Sequence, residues 1–498
     1  MSNSFYITTT LPYVNADPHI GFAQEIIAAD VIARYQRNLG REVVFNTGTD
    51  EHGQKIFQNA QEYGKNPQEY VDLYAAKFSD LKTMLNLDYT NFIRTTNKDH
   101  IIAAQEFWNL CAKKGDIYKK MYKTNYCVGC ELEKQSSELV EGKCPLHPNK
   151  ELEIIEEENY FFKFSKYQSD LLNLYEANQE FVKPEGKQKE IKSFVEGGLK
   201  DFSISRLKTK MPWGVPVPND EEHVMYVWFD ALVNYVSTLG WPNDQDNFNK
   251  FWPVIQLAGK DNLRQQAAMW QAMLISAGLP NSKQILINGF ISVEGQKMSK
   301  SLGNVISPME MVAKYGTDGT RYLLMNLSPF GTDADVSWEK FDIDFTANLS
   351  NGIGNLCSRV AKMCEKLDLN NPHNSVDQKP LVSVSINGKQ VETISHKNMS
   401  SFNLGDEIKH IWTDLEVLDE VEKDLSIKEL DKNISDNKPW KMGDEEATKY
   451  LTNVAIPAIQ IIAVKLLPFM PETAKKIISH FSNKKITGLE PLFPRLGK

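Results

Sequence analysis

A chain of 498 residues is longer than one hydrophobic core ordinarily supports, so two to four domains of about 100–200 residues each are expected. Hydrophobic residues make up 41% and charged residues 24%, the composition of a folded globular protein, and no segment reads as the ~20 consecutive apolar residues of a membrane span. A formal net charge of −9 argues against nonspecific coating of nucleic acid, which requires many phosphates to be neutralised, but it leaves room for a local basic face.

The N-terminus, "MSNSFYITTTLPYV", lacks a basic region followed by an apolar stretch. Phe5 to Thr10 therefore reads as a first buried strand rather than a signal peptide, and a cytoplasmic location is expected. In "PYVNADPHIGF", Asp17 suits a helix N-cap and Pro18 the first helical position. His19 then falls in the first turn, where unpaired N–H groups and the helix dipole favour anions, and Gly21 would let a ligand approach the backbone. Taken alone, the same histidine could equally pack or cap. Apolar residues from Phe22 to Tyr35 recur at helical spacing up to Gly40. "REVVFNTGTDEHG" supplies a second strand, Val43 to Phe45, opening into a Gly- and Asp-containing loop before the helical "QKIFQNAQEYG". This βαβ pattern predicts a parallel sheet with ligands at the C-terminal ends of its strands.

From about Tyr118 to Pro218 short strands and turns replace that pattern, as in an insertion. It contains Cys127, Cys130, Cys144 and His147 in two closely spaced pairs, three thiolates and one imidazole suited to a closed, structural tetrahedral zinc site. Cys111, Cys357 and Cys364 lie in apolar helical patterns and read as buried thiols, with no disulfides expected. The α/β pattern then resumes with "HVMYVWFDALVNYVSTLG", "FWPVIQLAGKD", "NLRQQAAMWQAMLISAGL" and "KQILINGF", the second half of the same sheet. "GQKMSKSLGN", Gly295 to Asn304, sets two lysines and two serines between glycines, a cationic loop able to follow phosphate oxygens. After Phe345 the chain is helical, broken by a polar loop or small hairpin around Asn387-Gly388. Lys465, Lys475, Lys476, Lys484, Lys485, Arg495 and Lys498 against Glu472 and Glu490 make either a solvated helix and tail or a phosphate-facing surface.

The His-Ile-Gly segment at the first helix and the Lys-Met-Ser-Lys-Ser loop after the last strand together resemble the signatures of class I aminoacyl-tRNA synthetases. "LPYVNADPHIG", "FNTGTDEHG", "FIRTTNKDH", "YCVGCE", "MYVWFDAL", "GQKMSKSLGN", "IGNLCSR", "NKPWKM" and "LLPFMPETAKKI", in that order along nearly the whole chain, resemble the methionyl-tRNA synthetases. The resemblance implies a Rossmann-like parallel-sheet catalytic domain split by a zinc-binding insertion and followed by an α-helical anticodon-binding bundle. Its expected boundaries are 1–117 and 225–295 for the two catalytic halves, 118–224 for the insertion, 296–345 for the lysine loop and stem contact, and 346–498 for the bundle.

The same resemblance implies activation of L-methionine by ATP with Mg2+, transfer to tRNA(Met), and one structural Zn2+ per chain. Asn15, His19, Gly21, Glu25, Lys260, Asp261, Lys297 and Lys300 would bind ATP, with His19, Lys297 and Lys300 catalytic. Leu11, Tyr13, Asp50, Trp228, Leu232, Tyr235 and Gln266 would form the methionine pocket, with Asp50 on the substrate ammonium. Asn355, Arg359 and Trp440 would read the anticodon. Two positions depart from the pattern: Phe22 stands where the signature has a second histidine, and Gln265-Gln266 stands where Phe-His is usual. The rival readings are a synthetase for valine, isoleucine, leucine or cysteine, and a noncatalytic tRNA-binding relative. The first three usually carry a larger insertion, and intact His19, Asp50, Lys297 and Lys300 argue against the last. A monomer without membrane attachment is expected.

Overall fold

The structure, a computed structural model, describes residues 3–129, 132–134, 139–145, 147–298, 302–328, 331–370, 383–386, 389–392, 399, 402, 404–412 and 426–497. Its main sheet has six strands: β1 (Ser4–Thr8), β2 (Glu42–Thr49), β3 (Asn91–Arg94), β4 (Val182–Lys183), β5 (Ile255–Gly259) and β6 (Gln284–Asn288). Their order is β3-β2-β1-β5-β6-β4, and every pairing is parallel. The inner strands carry β-branched and aromatic residues buried on both faces, which is what a sheet covered on two sides demands. Ile7 of β1 lies between Phe45 and Ile255. From β1 the chain leaves through helix α1 (Ile20–Asn38) toward β2, and after the inserted stretch it returns on the other flank of β1 as β5. The order reverses there, so a crevice opens above the C-terminal ends of β1 and β5.

The stretch between β3 and β5 builds its own antiparallel sheet, in which Ile117–Cys127 pairs with Glu153–Phe162 from Ile117↔Phe162 to Tyr126↔Glu153. One part of this excursion returns to the main sheet. Val182 and Lys183 pair with Ile285 and Leu286, so β4 covers the edge that β6 would otherwise expose.

The C-terminal part is helical, with Pro308–Met325, Asn355–Lys366, Leu404–Trp412, Ile427–Asn437, Ile456–Leu466 and Pro471–Phe481 as its main helices. Pro308–Met325 begins at a capping box, in which Ser307 Oγ accepts from Glu310 N and the Glu310 carboxylate accepts from Ser307 N. The expected hairpin is present as Ser383–Ile386 against Lys389–Glu392, while Asn387-Gly388 themselves lie outside the described residues. The stretch Asp444–Leu466 is long and apolar enough by composition to cross a membrane, contrary to the reading that no segment approaches a span. Its apolar side chains, among them Leu451, Ile456, Ile459 and Ile462, are buried in the bundle core.

A single hydrophobic cluster runs from the sheet into this bundle, joining Ile7 and Ile27 to Leu323, Leu349 and Ile459. Within it lies the fully buried guanidinium of Arg321. Arg321 donates to Asp30 Oδ2 (2.7 Å) on α1, to the carbonyls of Pro468 (2.9 Å) and Phe469 (2.8 Å), and to that of Leu85 (3.0 Å). Asp30 also accepts from Arg34 (2.7 Å) and from Asp88 N (2.7 Å). Breaking such a pair from one side leaves the rest buried and unpaired. Arg321→Met is expected to lower the unfolding free energy by about 3–5 kcal/mol, and the Asp30→Asn/Arg321→Met double variant to cost less than the sum of the single changes. Denaturant unfolding of the three variants measures both effects.

Candidate active site

Above β1 and β5 lies a cleft of about 630 Å3. One wall is the start of α1. His19 is the N-cap of this helix, extended at φ −124° and ψ 169°, and its Nδ1 accepts from Gly21 N at 3.0 Å. This corrects the expected capping scheme. Asp17 is exposed and bonded to Lys77 (2.6 Å), and Pro18 precedes the helix, because the imidazole supplies the acceptor that a carboxylate cap would have supplied. Because Nδ1 accepts, the ring is neutral with its proton on Nε2, facing away from the cap; desolvation in the cleft lowers the His19 pKa in the same sense, with Asp261 opposing and Lys297 reinforcing. A Cβ on Gly21 would lie 2.9 Å from His19 Cε1, so this glycine makes room for the capping ring.

Farther along α1, the buried Glu25 carboxylate accepts from both N and Oγ1 of Thr10, each at 2.7 Å, and fixes the turn that leaves β1. Burial raises its pKa to about 7 against the donors from Thr10 that favour the charged form. The segment after that turn is stitched to the end of β2: Asp50 N donates to Pro12 O (3.0 Å) and Val14 N to Asp50 O (3.2 Å), which sets Tyr13 beside Asp50. The opposing wall comes from helix Val227–Leu232 and the turn Asn234–Ser237, which present Trp228, Leu232 and Tyr235, and from a π-helical turn, Gln265–Met269, that carries Gln266. Gln266 Nε2 donates to Tyr235 Oη at 2.7 Å. Asp261, Lys297, Met298 and Phe290 close the remaining side. Lys260 lies at the rim, its Nζ 2.5 Å from Asp333 Oδ2 and 4.1 Å from the centre of the Phe290 ring.

Two further clusters lie away from the cleft floor. The ligating atoms of Cys127, Cys144 and His147 fall within 4.8 Å of one another, and Cys127 Sγ is 3.7 Å from His147 Nδ1. Bonds of about 2.3 Å to sulfur and 2.0–2.1 Å to nitrogen at a tetrahedral angle put those two atoms at about this separation, so the donor set fits a zinc-sized ion. Both thiols are buried, and a Cβ on Gly129 would strike the His147 ring at 2.5 Å, so the turn admits the imidazole only because glycine stands there. Cys130 lies outside the described residues. In the helical part, Asn355 and Arg359 stand one turn apart on Asn355–Lys366. Arg359 pairs with Asp431 (2.6 Å) and its guanidinium lies 5.8 Å from the centre of the Trp440 ring, which is 53% exposed.

A family model described as tRNA synthetases class I (M) matches residues 5–151 and 129–361. The chain belongs to the methionyl-tRNA synthetase family. A methionine–tRNA ligase of Thermotoga maritima is 41% identical over 488 residues, covering 96% of this chain and 75% of the relative. One from a Nostoc species is 39% identical, covering 95% and 89%. The solved methionyl-tRNA synthetase of Mycobacterium tuberculosis in complex with methionyl-adenylate aligns with a TM-score of 0.87 at 32% identity, over 99% of this chain and all of that one.

Against this family background, the structure gathers Asn15, His19, Gly21, Glu25, Asp261 and Lys297 into one cleft with Leu11, Tyr13, Asp50, Trp228, Leu232, Tyr235 and Gln266. Lys300 lies outside the described residues. Phe22, where the family signature has a second histidine, meets Phe78 edge-on at 5.4 Å, and both rings line the cleft. An apolar contact thus occupies the position of the missing polar group.

Sequence reasoning missed the residues that hold these walls. Buried Asp230 accepts from His52 Nδ1 (2.6 Å) and His100 Nε2 (2.8 Å), tying the loop after Asp50 to the helix of Trp228. Burial works against its charge, yet the two histidines hold its pKa at about 2. Glu51 is gripped by Arg94 (2.6 and 3.0 Å), Thr49 and Thr96. His52 and Asp230 sit inside the quoted strings "TDEHG" and "VWFDAL", two positions after Asp50 and Trp228, and that spacing is the signal that could have revealed them; Glu51 adjoins Asp50, and His100, at the end of "FIRTTNKDH", has no such signal.

Glu25 yields a pH test. Its folded pKa of about 7 exceeds the ordinary 4.5, so the folded state holds more protons between those values, and stability present below pH 4.5 is lost as the pH rises through 7. Glu25→Gln removes that loss. Relative to wild type, it is expected to gain on the order of 3 kcal/mol at pH 8 compared with pH 4, as measured by denaturant unfolding at the two pH values.

Proposed function

We propose that the protein is a methionine–tRNA ligase, which activates L-methionine with ATP and transfers it to the 3′ end of tRNA(Met), acting as a cytoplasmic monomer. The observation that carries this reading is the meeting in one cleft of an imidazole at a helix start, a lysine from the Lys-Met-Ser-Lys-Ser loop, and an aromatic pocket floored by a carboxylate.

In the first step a methionine carboxylate oxygen attacks the α-phosphorus of ATP, the bond to the β-phosphate bridging oxygen breaks, and pyrophosphate leaves. No side-chain nucleophile is required, so the residues work by positioning and by stabilising charge. His19, with its proton on Nε2, donates to phosphate oxygen, whereas the first-turn N–H groups of α1 are taken up by Ile306 O and by His19 itself. Lys297, Lys300 and Lys260 meet the leaving pyrophosphate, with Mg2+ bound to ATP supplying further charge neutralisation. Asn15, Gly21, Glu25 and Asp261 hold the rest of the nucleotide. Asp50 pairs with the methionine ammonium, while Trp228, Tyr13, Leu11, Leu232, Tyr235 and Gln266 enclose the side chain. In the second step a terminal ribose hydroxyl of the tRNA attacks the methionyl carbonyl carbon and AMP leaves.

Asn355, Arg359 and Trp440 are the proposed anticodon readers. An exposed indole beside a guanidinium, with the Asn355 amide one turn from that arginine on the same helix, offers a stacking face and hydrogen bonds to an unpaired base. Cys127, Cys130, Cys144 and His147 are the proposed zinc ligands, and a bound zinc would lock the turns that carry them.

ATP–pyrophosphate exchange dependent on methionine, and on none of the other standard amino acids, is the expected activity. Trp440→Ala should leave exchange within about twofold of wild type and lower tRNA charging by tenfold or more, since stacking on a base contributes roughly 1–3 kcal/mol. Loss of both activities would assign Trp440 to folding. Metal analysis of the purified protein should return one zinc per chain, lost in Cys144→Ser.

A further inference from the structure

The pocket wall formed by Tyr235 and Gln266 is backed by buried polar side chains that touch neither the cleft nor solvent. Gln256, Gln271 and Ser282 are almost completely buried, and uncharged amides in such a place are costly unless each is satisfied. They are satisfied in series. Gln271 Nε2 donates to Ser282 Oγ (3.1 Å), Ser282 Oγ to Gln256 Oε1 (2.5 Å), Gln256 Nε2 to Gln266 Oε1 (2.9 Å), and Gln266 Nε2 to Tyr235 Oη (2.7 Å).

The direction of this series is set at its far end. The backbone N–H of Ser282, which can only donate, bonds Gln271 Oε1 at 3.0 Å, and Asn281 Nδ2 donates to the same oxygen at 3.1 Å. Gln271 must therefore turn its NH2 toward Ser282 Oγ. That contact leaves the serine proton for Gln256 Oε1, which turns the Gln256 NH2 to Gln266, which turns the Gln266 NH2 to the tyrosine oxygen. Reversing any one amide would oppose two donors or two acceptors. Among the described hydrogen bonds the Tyr235 oxygen takes a donor from Gln266, the Gln256 and Asn234 amides also act on it as donors, and none of them accepts its proton. Burial raises the Tyr235 pKa, with Glu25 reinforcing, which keeps that proton in place.

We propose that Gln271, Ser282 and Gln256 are positioning residues for amino-acid specificity: a polarised relay that fixes the Gln266 amide and commits the Tyr235 O–H to donate into the pocket. The substrate class it favours carries a weak acceptor at the end of an otherwise apolar side chain, as the thioether sulfur does, over an isostere with a methylene at the same place. This rests on the methionine-pocket reading above. It also gives Gln266, the departure from the usual histidine, a defined polarity that a freely flipping amide would lack.

The test is ATP–pyrophosphate exchange by the full chain with methionine and with norleucine, in which a CH2 replaces sulfur. Wild type should prefer methionine. In Ser282→Ala and in Gln256→Met, kcat/KM for methionine should fall by roughly three- to tenfold, the share of one net hydrogen bond, while that for norleucine stays within about twofold. A merely structural role would lower both substrates together, and that result, or a methionine-to-norleucine ratio in Ser282→Ala unchanged from wild type, overturns the relay. Ser282→Ala removes a single oxygen and carries the test alone if Gln256→Met does not fold. A wild type that activates neither amino acid removes the methionine-pocket reading itself, and the relay with it, which is a different outcome from an active enzyme with unaltered preference.

Discussion

The Asp30–Arg321 pair is the constraint on which the remaining architecture turns. Asp30 sits on α1, the helix whose N-terminus is capped by His19 and whose next turns carry Glu25, while Arg321 sits on the helix after the lysine loop. The guanidinium spends its donors on Asp30 and on carbonyls from two distant parts of the chain, Leu85 and Pro468 to Phe469. An ion pair buried this deeply is weak evidence for stability in itself, since both charges were taken out of water. What it provides is register. The planar fork accepts only one arrangement of α1, the turn after Met84 and the loop before Pro471, so the axial position of the helix that presents His19 to the cleft is fixed from its middle.

Much of the fold could be read from the sequence because two periodicities and two glycine-bounded loops state it locally. β1, α1 and β2 appear in "FYITTT", in the spaced apolar residues from Phe22 to Tyr35 and in "VVF", and β5 and β6 appear as short apolar runs. The site residues could be read for a different reason: they lie in strings whose family resemblance carries their roles. What stayed hidden depends on contacts between distant segments. No spacing rule brings Gln256 to Ser282, or His100 to Asp230, because these contacts form only once the sheet order has reversed. Asp17-Pro18 satisfies a local capping rule, yet an imidazole two positions after Asp17 outcompetes it as the cap of α1. The edge strand Val182–Lys183 is too short to carry any period at all.

The two departures from the family pattern have unlike physical consequences. Phe22 exchanges a polar ring for an apolar one and finds an aromatic partner in Phe78, so the change is absorbed by packing at the cleft wall. Gln266 exchanges a ring with two distinguishable nitrogens for an amide that must be told which way to face. Its neighbours supply that instruction through Gln256, and the cost is a set of buried polar groups where an apolar core would pack more simply.

The placement of Val182–Lys183 bears on how separable the inserted stretch is. An excursion joined to its host only at its two ends could be lengthened, trimmed or exchanged without disturbing the host. This one gives a strand back, so the main sheet ends on a segment borrowed from the middle of the excursion. Its tip, with the cysteines and His147, pairs with no strand of the main sheet, whereas excising 118–224 as a block would strip that sheet of its outermost strand and leave Ile285 to Ile287 as a bare apolar edge open to pairing with another chain. The two parts are thus not independent modules: the host sheet depends on its guest for closure.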